Sequence, residues 1–172
     1  MPRIRTGYSF RQAAGKLEDV FNRLKEVGYP AFPITDRASA FGWVRWQALC
    51  EKNGAKPVFG VELAVTDSWQ SKKPTVDHWT FIAKHDIAPL NRLIDLATQQ
   101  FRYEPLLTYD QVMQQDELFC IAGHRAQLDK FAPRDGLFVS LSPASAKGYI
   151  NKAMSLGHQL VACSDNRYVV PE

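Results

Sequence analysis

Arg3-Ile-Arg-Thr6, Ala31-Phe-Pro-Ile-Thr35 and Lys56-Pro-Val-Phe-Gly-Val-Glu-Leu-Ala-Val65 are three short apolar runs of strand length within the stretch 3–65. Each carries or precedes charge: Arg3 and Arg5, then Asp36-Arg37, then Glu62. Between them lie two segments of helical length, 16–27 and 43–52. Strand–helix–strand units of this spacing make parallel strands, and functional side chains then gather beyond the strands' carboxyl ends. The first third of the chain therefore reads as a site assembled from separate strand ends.

The helix over 16–27 has Leu17, Val20, Phe21, Leu24 and Val27 at helical spacing, acids in its first turn and Gly28-Tyr-Pro30 as a stop. Pro33 has no N–H for a ladder, which places its strand at an edge or makes it irregular. Residues 66–76 form the most loop-like stretch. Further strands are expected at 79–83, 118–122, 137–141 and 159–163. A helix follows Asp86 with Pro89 in its first turn, Thr108-Tyr-Asp-Gln111 has the form of a capping box, and Ser142-Pro143 opens a last helix that Gly157 closes. The alternation predicts one α/β domain over 1–172, barrel-like or doubly wound and mostly parallel.

At 172 residues the chain can bury a core without disulfides, and its net charge of +3 has no dominant basic run to claim nucleic acid. Cys50, Cys120 and Cys163 are widely spaced in apolar surroundings and read as buried thiols of a reducing compartment. No apolar signal region or membrane-length run occurs, which predicts a cytoplasmic protein with no membrane partner.

The residues at strand ends are Arg3, Arg5, Asp36, Arg37, Glu62, His78, His124, Asp165 and Arg167. Carboxylates and imidazoles converging on one face suit zinc or manganese. Arginine does not, because it keeps its proton and cannot ligate a cation. Singly, each of the nine is as well explained as a cap or a solvated residue.

The runs Thr6-Gly-Tyr-Ser9, Gly28-Tyr-Pro-Ala31, Ile34-Thr-Asp36, Phe41-Gly42 and Lys56-Pro-Val-Phe-Gly-Val-Glu62 resemble the polymerase-and-histidinol-phosphatase (PHP) domain. The closest form is the one that opens bacterial and phage DNA polymerase III α subunits. The resemblance resumes at His78-Trp-Thr-Phe-Ile-Ala-Lys84, Ile121-Ala-Gly-His124 and Leu160-Val-Ala-Cys-Ser-Asp-Asn-Arg-Tyr168, and is loose between. It implies a distorted seven-stranded βα barrel, here with a shortened second half, around up to three metals. Carried over residue by residue, the family's opening His-x-His falls on Arg3 and Arg5. Its next Asp falls on Gln12 and the His of its Thr-Asp-His on Arg37. Glu62 and His78 are kept, a Cys-or-His position is His124, and the closing Asp-x-His is Asp165 and Arg167.

These departures leave Glu62, His78 and His124 as the one candidate set of three competent ligands. Arg3, Arg5, Gln12, Asp36, Arg37, Asp165 and Arg167 mark former metal-site positions. The expected cofactor is none, or at most one Zn or Mn. A guanidinium supplies the positive charge that carboxylates lose with their metals, and offers them forked hydrogen bonds. Salt bridges from Arg3, Arg5, Arg37 or Arg167 to Asp36, Glu62 or Asp165 are therefore expected. Three functions follow: a catalytically silent module of DNA replication, a metal-dependent phosphoesterase or 3′-5′ proofreading exonuclease with a reduced centre, or an Arg-lined binder of phosphate or nucleic acid. The first is favoured. The resemblance implies replication partners, the polymerase core and proofreading exonuclease, with possible DNA contact. Trp43, Trp46 and Trp79 are the expected docking aromatics, and His85 and His158 are expected at the surface.

Overall fold

The computed structural model describes residues 2–9, 13–68, 70, 74–100, 103–142 and 145–166, the main chain only at 2 and 164–166. Strand β1 is Pro2–Ile4, followed by helix α1 Leu17–Glu26, β2 Phe32–Ile34, α2 Trp43–Lys52 and β3 Pro57–Thr66. Leu17, Val20, Phe21 and Leu24 make the buried stripe of α1, and Gly28, at φ +71°, takes the left-handed turn that ends it. β2 pairs parallel with the amino end of β3, Phe32 opposite Pro57 and Ile34 opposite Phe59. It ends the hydrogen-bonded order of its sheet, the edge position that Pro33 requires.

β4, Val76–Ala83, runs antiparallel to β3. The reason is length: nine residues, 67–75, join the two, too few for the crossover that a parallel partner needs. Next come α3 Ala88–Gln99, β5 Leu106–Thr108, α4 Tyr109–Met113 and β6 Leu118–Ala122. Asp86 accepts from Ala88 N (3.0 Å) at the start of α3. Thr108 and Gln111 close the expected capping box on α4. β5, a strand that the sequence pattern does not announce, adds parallel to the far end of β3. After β6 come β7 Leu137–Leu141, α5 Lys147–Ser155, β8 Gln159–Ala162 and β9 Ser164–Asn166.

The main sheet has the order β2-β3-β4-β6-β7-β8, with β5 beside β3, while β1 and β9 pair parallel as a second, two-stranded sheet. Thr35 links them: its N–H donates to Ile4 O, and its hydroxyl accepts from Ile4 N, each at 2.8 Å. The result is a curled, barrel-like sheet of mostly parallel strands, as the βα alternation predicts.

Period-2 alternation gives that sheet two faces. Val61, Leu63 and Val65 of β3, Trp79 and Phe81 of β4, and Leu137 and Val139 of β7 join the helices in the main core. The opposite, inner face holds a separate small cluster, Ile82, Ile121 and Cys163 with half-buried Val58, Phe138 and Val161 against it. All three cysteines are buried, as expected.

Two expectations are corrected by packing. Trp43, Trp46 and Trp79 are only 6%, 0% and 0% exposed and cannot form a docking surface. Trp46 donates to Phe32 O (3.0 Å), and Trp79 lies edge-on to Phe131 with centroids 4.8 Å apart. The exposed large apolar residues are others, among them Phe41, Val44 and Tyr103. His158 is buried against the Phe131 ring rather than at the surface, whereas His85 is exposed. The helical spacing after Asp86 also turns Phe101 inward, and Phe101 lies outside the described residues.

Trp79→Ala should cost about 3–5 kcal/mol in chemical denaturation, since it leaves a cavity between α4 and the sheet. Phe41→Ala, at an exposed position, should stay within about 0.5 kcal/mol of wild type.

Candidate functional site

Two backbone hydrogen bonds prolong the β2–β3 pairing past the end of β2. Glu62 N donates to Asp36 O (3.0 Å), and Ala38 N donates to Glu62 O (2.8 Å). This bridge of Arg37 to Glu62 sets Asp36 and Arg37, just past the carboxyl end of β2, beside Glu62 in the middle of the parallel strand β3. Arg5, one residue past β1, reaches into the same region. Its Nη2 lies 2.6 Å from Glu62 Oε2, with the two side chains 4% and 1% exposed. A pair this well buried is charge-assisted and hardly screened by water.

Among the described residues, no arginine donates a hydrogen bond to Asp36. Its carboxylate accepts from Thr6 N (2.6 Å), Thr6 Oγ1 (2.8 Å) and Ser9 Oγ (2.5 Å). Ser9 Oγ also accepts from Arg37 N at 3.0 Å. Asp36 thus ties the segment after β1 to the end of β2. Burial pushes its carboxyl above the ordinary range, although the Ser9 and Thr6 bonds and the Arg5 charge work against that.

Arg37 turns away from Asp36 to a partner that the sequence does not announce. Its guanidinium donates to both oxygens of Glu104, at 3.0 and 3.2 Å through Nη2. His78 Nε2 lies 3.1 Å from Glu104 Oε1 and also meets Arg37 Nη2. Burial works to raise the Glu104 carboxyl, but His78 and Arg37 together outweigh it and hold the group below its usual value. Glu104 sits between α3 and β5, outside every motif; an acid just before Pro105 and an apolar run is the only trace it leaves.

Asp77 is the second residue that the sequence leaves unmarked. It is 5% exposed, and its Oδ2 has no hydrogen-bond partner among the described residues. Burial raises its carboxyl, opposed by a His78 backbone bond and the His78, His124 and Arg3 charges. A Cβ at Gly123 would stand 2.5 Å from both Asp77 oxygens and 2.6 Å from His78 O, so only glycine lets the end of β6 pass here.

Of the predicted positions, Arg5, Asp36 and Glu62 come together, and Arg37 and His78 meet over Glu104. Arg3 is buried on β1 opposite Asp165 of β9 in register. Gln12 and Arg167 lie outside the described residues. His124 is exposed in the turn after β6. The structure does not gather Glu62, His78 and His124 as a ligand set: among the described residues no group of three His, Cys, Asp or Glu side chains is placed to hold a metal. The donor chemistry agrees, because Glu62 Oε2 and His78 Nε2 already face guanidinium nitrogens, which exclude a cation from the same points. Among the described residues, Glu62 and His78 are therefore engaged by arginine and not open to a cation.

The fold and the position of the site define a class, a mostly parallel α/β barrel with its charged residues at the carboxyl ends of the strands. A solved structure, a putative metal-dependent phosphoesterase from Bifidobacterium adolescentis, matches with a TM-score of 0.62 over 95% of this chain and 86% of that one, at 10% sequence identity. The PHP domain family profile matches residues 2–135. The chain belongs to the PHP domain family. DNA polymerase III subunit alpha of Borreliella burgdorferi is 25% identical over 128 residues, covering 68% of this chain and 11% of its own length. That of Aquifex aeolicus is 26% identical over 121 residues, covering 62% of this chain and 10% of its own length. The chain spans about a tenth of the length of these curated relatives.

Arg5→Ala would leave Glu62 charged and buried without its guanidinium, and should cost about 3–5 kcal/mol in denaturant titrations. Arg23→Ala, which breaks the exposed pair with Glu26, should change stability by less than about 1 kcal/mol. Glu104 gives a pH test. A carboxyl lowered in the fold stabilises it above the ordinary carboxylate value and loses that contribution as pH falls through the lowered one. Glu104→Gln should therefore melt below wild type at neutral pH, with the difference vanishing in acid below the ordinary carboxylate range.

Proposed function

We propose that this chain is a catalytically silent PHP domain acting as a structural and interaction module in DNA replication. In this reading residues 1–172 act as one domain in the cytoplasm, with replication proteins, the polymerase core and a proofreading exonuclease, as partners. The observation that carries it is the buried pair between Arg5, just past the carboxyl end of β1, and Glu62 in the middle of β3. A phosphoester-cleaving centre of this class clamps attacking and leaving oxygens between neighbouring cations. Guanidinium groups at Arg5 and Arg37 supply fixed positive charge instead, without an exchangeable coordination position or a bound hydroxide. Two further findings support the reading: the curated relatives are polymerase α subunits, and no helix among the described residues is long and apolar enough to cross a membrane.

One observation favours a second reading, an anion site. Arg37 and His78 converge on the Glu104 carboxylate, a geometry that would also hold a phosphate oxygen. The residual-metal reading, one Zn or Mn on Glu62, His78 and His124, would need the Arg5 and Arg37 contacts to open.

The test is metal content and hydrolysis on the same purified protein. Element analysis for Zn, Mn and Fe should give at most one equivalent. Bis-p-nitrophenyl phosphate and 3′-ended single-stranded DNA should turn over at background with Zn²⁺ or Mn²⁺ added. Turnover that disappears in both His78→Ala and His124→Ala would overturn silence in favour of a one-metal enzyme.

A further inference from the structure

The far end of the sheet's inner face carries a second feature that the charged site does not use. Val58 and Glu62 of β3 share one face, with Thr80 directly opposite Glu62 and Ile82 opposite Gly60. Ile121 and Phe138 continue that face across β6 and β7. At the amino ends of the parallel strands Val58, Ile82, Ile121 and Phe138 border an open cleft of about 630 Å³, together with Phe119 and Val161. It therefore lies on the same face as Glu62 but at the opposite end of the strands. Its size is that of a ligand site.

Three observations define what fits it. The floor is apolar, yet Phe119 and Ile87 stand 40% and 39% exposed at the cleft. A small molecule sunk in the floor would leave that rim in water, whereas a polypeptide lying across the mouth would cover it. Among the described residues the charge is one-signed: Lys56, Lys84 and His85 line the cleft, and no Asp or Glu does. Lys84 is held in place by its bond to Asp116 O (2.7 Å) and stands 5.3 Å from the centre of the Phe119 ring, so positive charge is fixed beside the aromatic rim.

We propose that this cleft is a docking site for an acidic polypeptide segment of a partner protein, which inserts large aliphatic or aromatic side chains onto Val58, Ile82 and Phe138 and sets its carboxylates against Lys56 and Lys84. It rests on the module reading only for the kind of partner; the recognition chemistry is the cleft's own. Apolar anchors supply the affinity, and the basic rim supplies choice of partner and on-rate.

The experiment uses the 172-residue protein and a fluorescein-labelled peptide of alternating Glu and Leu around a central Phe, read by anisotropy. A second peptide has Lys in place of Glu, and decanoate serves as a small-molecule competitor. The acidic peptide should bind, weaken with added salt, and outbind the basic peptide at least tenfold. Phe119→Asp and Lys56→Glu should each weaken it at least fivefold, while Phe41→Asp, at an exposed site outside the cleft, should leave it unchanged. Lys56 is exposed, so Lys56→Glu tests the charge arm even if Phe119→Asp fails to fold. Equal binding of the two peptides, indifference to both cleft variants, or binding of decanoate with none of the peptide would overturn the proposal. Metal content and hydrolysis do not enter this readout, so its failure leaves the silent-module reading standing, and the reverse.

Discussion

A carboxylate sealed inside the sheet must have a positive partner, and in this chain that partner is Arg5. Glu62 is 1% exposed on β3, the strand through which β2, β4 and β5 all join the sheet. An uncompensated charge there would cost several kcal/mol, enough to consume much of a small domain's net stability. The same contact recruits β1. That strand has three residues and, among the described residues, forms a ladder only with the equally short β9. Ladder bonds alone hold it weakly; Arg5, the Thr6 bonds to Asp36 and the Thr35 bonds to Ile4 anchor the start of the chain across the sheet. Electrostatics at the strand ends and closure of the fold are thus one problem with one solution.

The fold was largely legible because its information is local and periodic. Helices α1 and α2, strands β3, β6 and β7 and the capping box at Thr108 follow from spacing and caps that a short window contains. β4 reversed direction for a reason that the sequence also holds, a link too short for a crossover, though alternation alone points to a parallel strand. β5 stayed hidden because three residues carry too little period to separate a strand from a cap. The tryptophans were misplaced because composition says that an aromatic is large, and only packing says where it lies. Trp79 fills the space among Tyr109, Phe131 and the sheet, so it is core.

The site divides the same way. Positions fixed by strand ends, Arg5, Asp36, Glu62 and Arg37, could be named from residue type and position. Their partners could not. Among the described residues Asp36 accepts from two hydroxyls and a backbone N–H, not from a guanidinium, and Arg37 is taken up by Glu104, 67 residues away along the chain. A short polar side chain near a buried acid is a cheap solution that no motif marks. Asp77 is legible only in three dimensions, since it is Gly123, from another strand, that lets its carboxylate sit where it does.

In the proposed reading arginines stand where the family carries metal ligands, and that exchange changes what the centre responds to. A bound ion stabilises a fold by mass action, so stability follows the free-ion concentration and the protonation of its ligands. A guanidinium belongs to the chain: its effective concentration is fixed by the fold, and it keeps its charge throughout the physiological pH range. The Arg5–Glu62 pair therefore makes this end of the sheet a constant of the structure, where a metal centre would make it a variable. A surface that must present one shape to a partner under changing ionic conditions gains from that substitution. A catalytic centre that depends on an open coordination position loses by it, so in the proposed reading the same replacement that fixes the scaffold removes the chemistry.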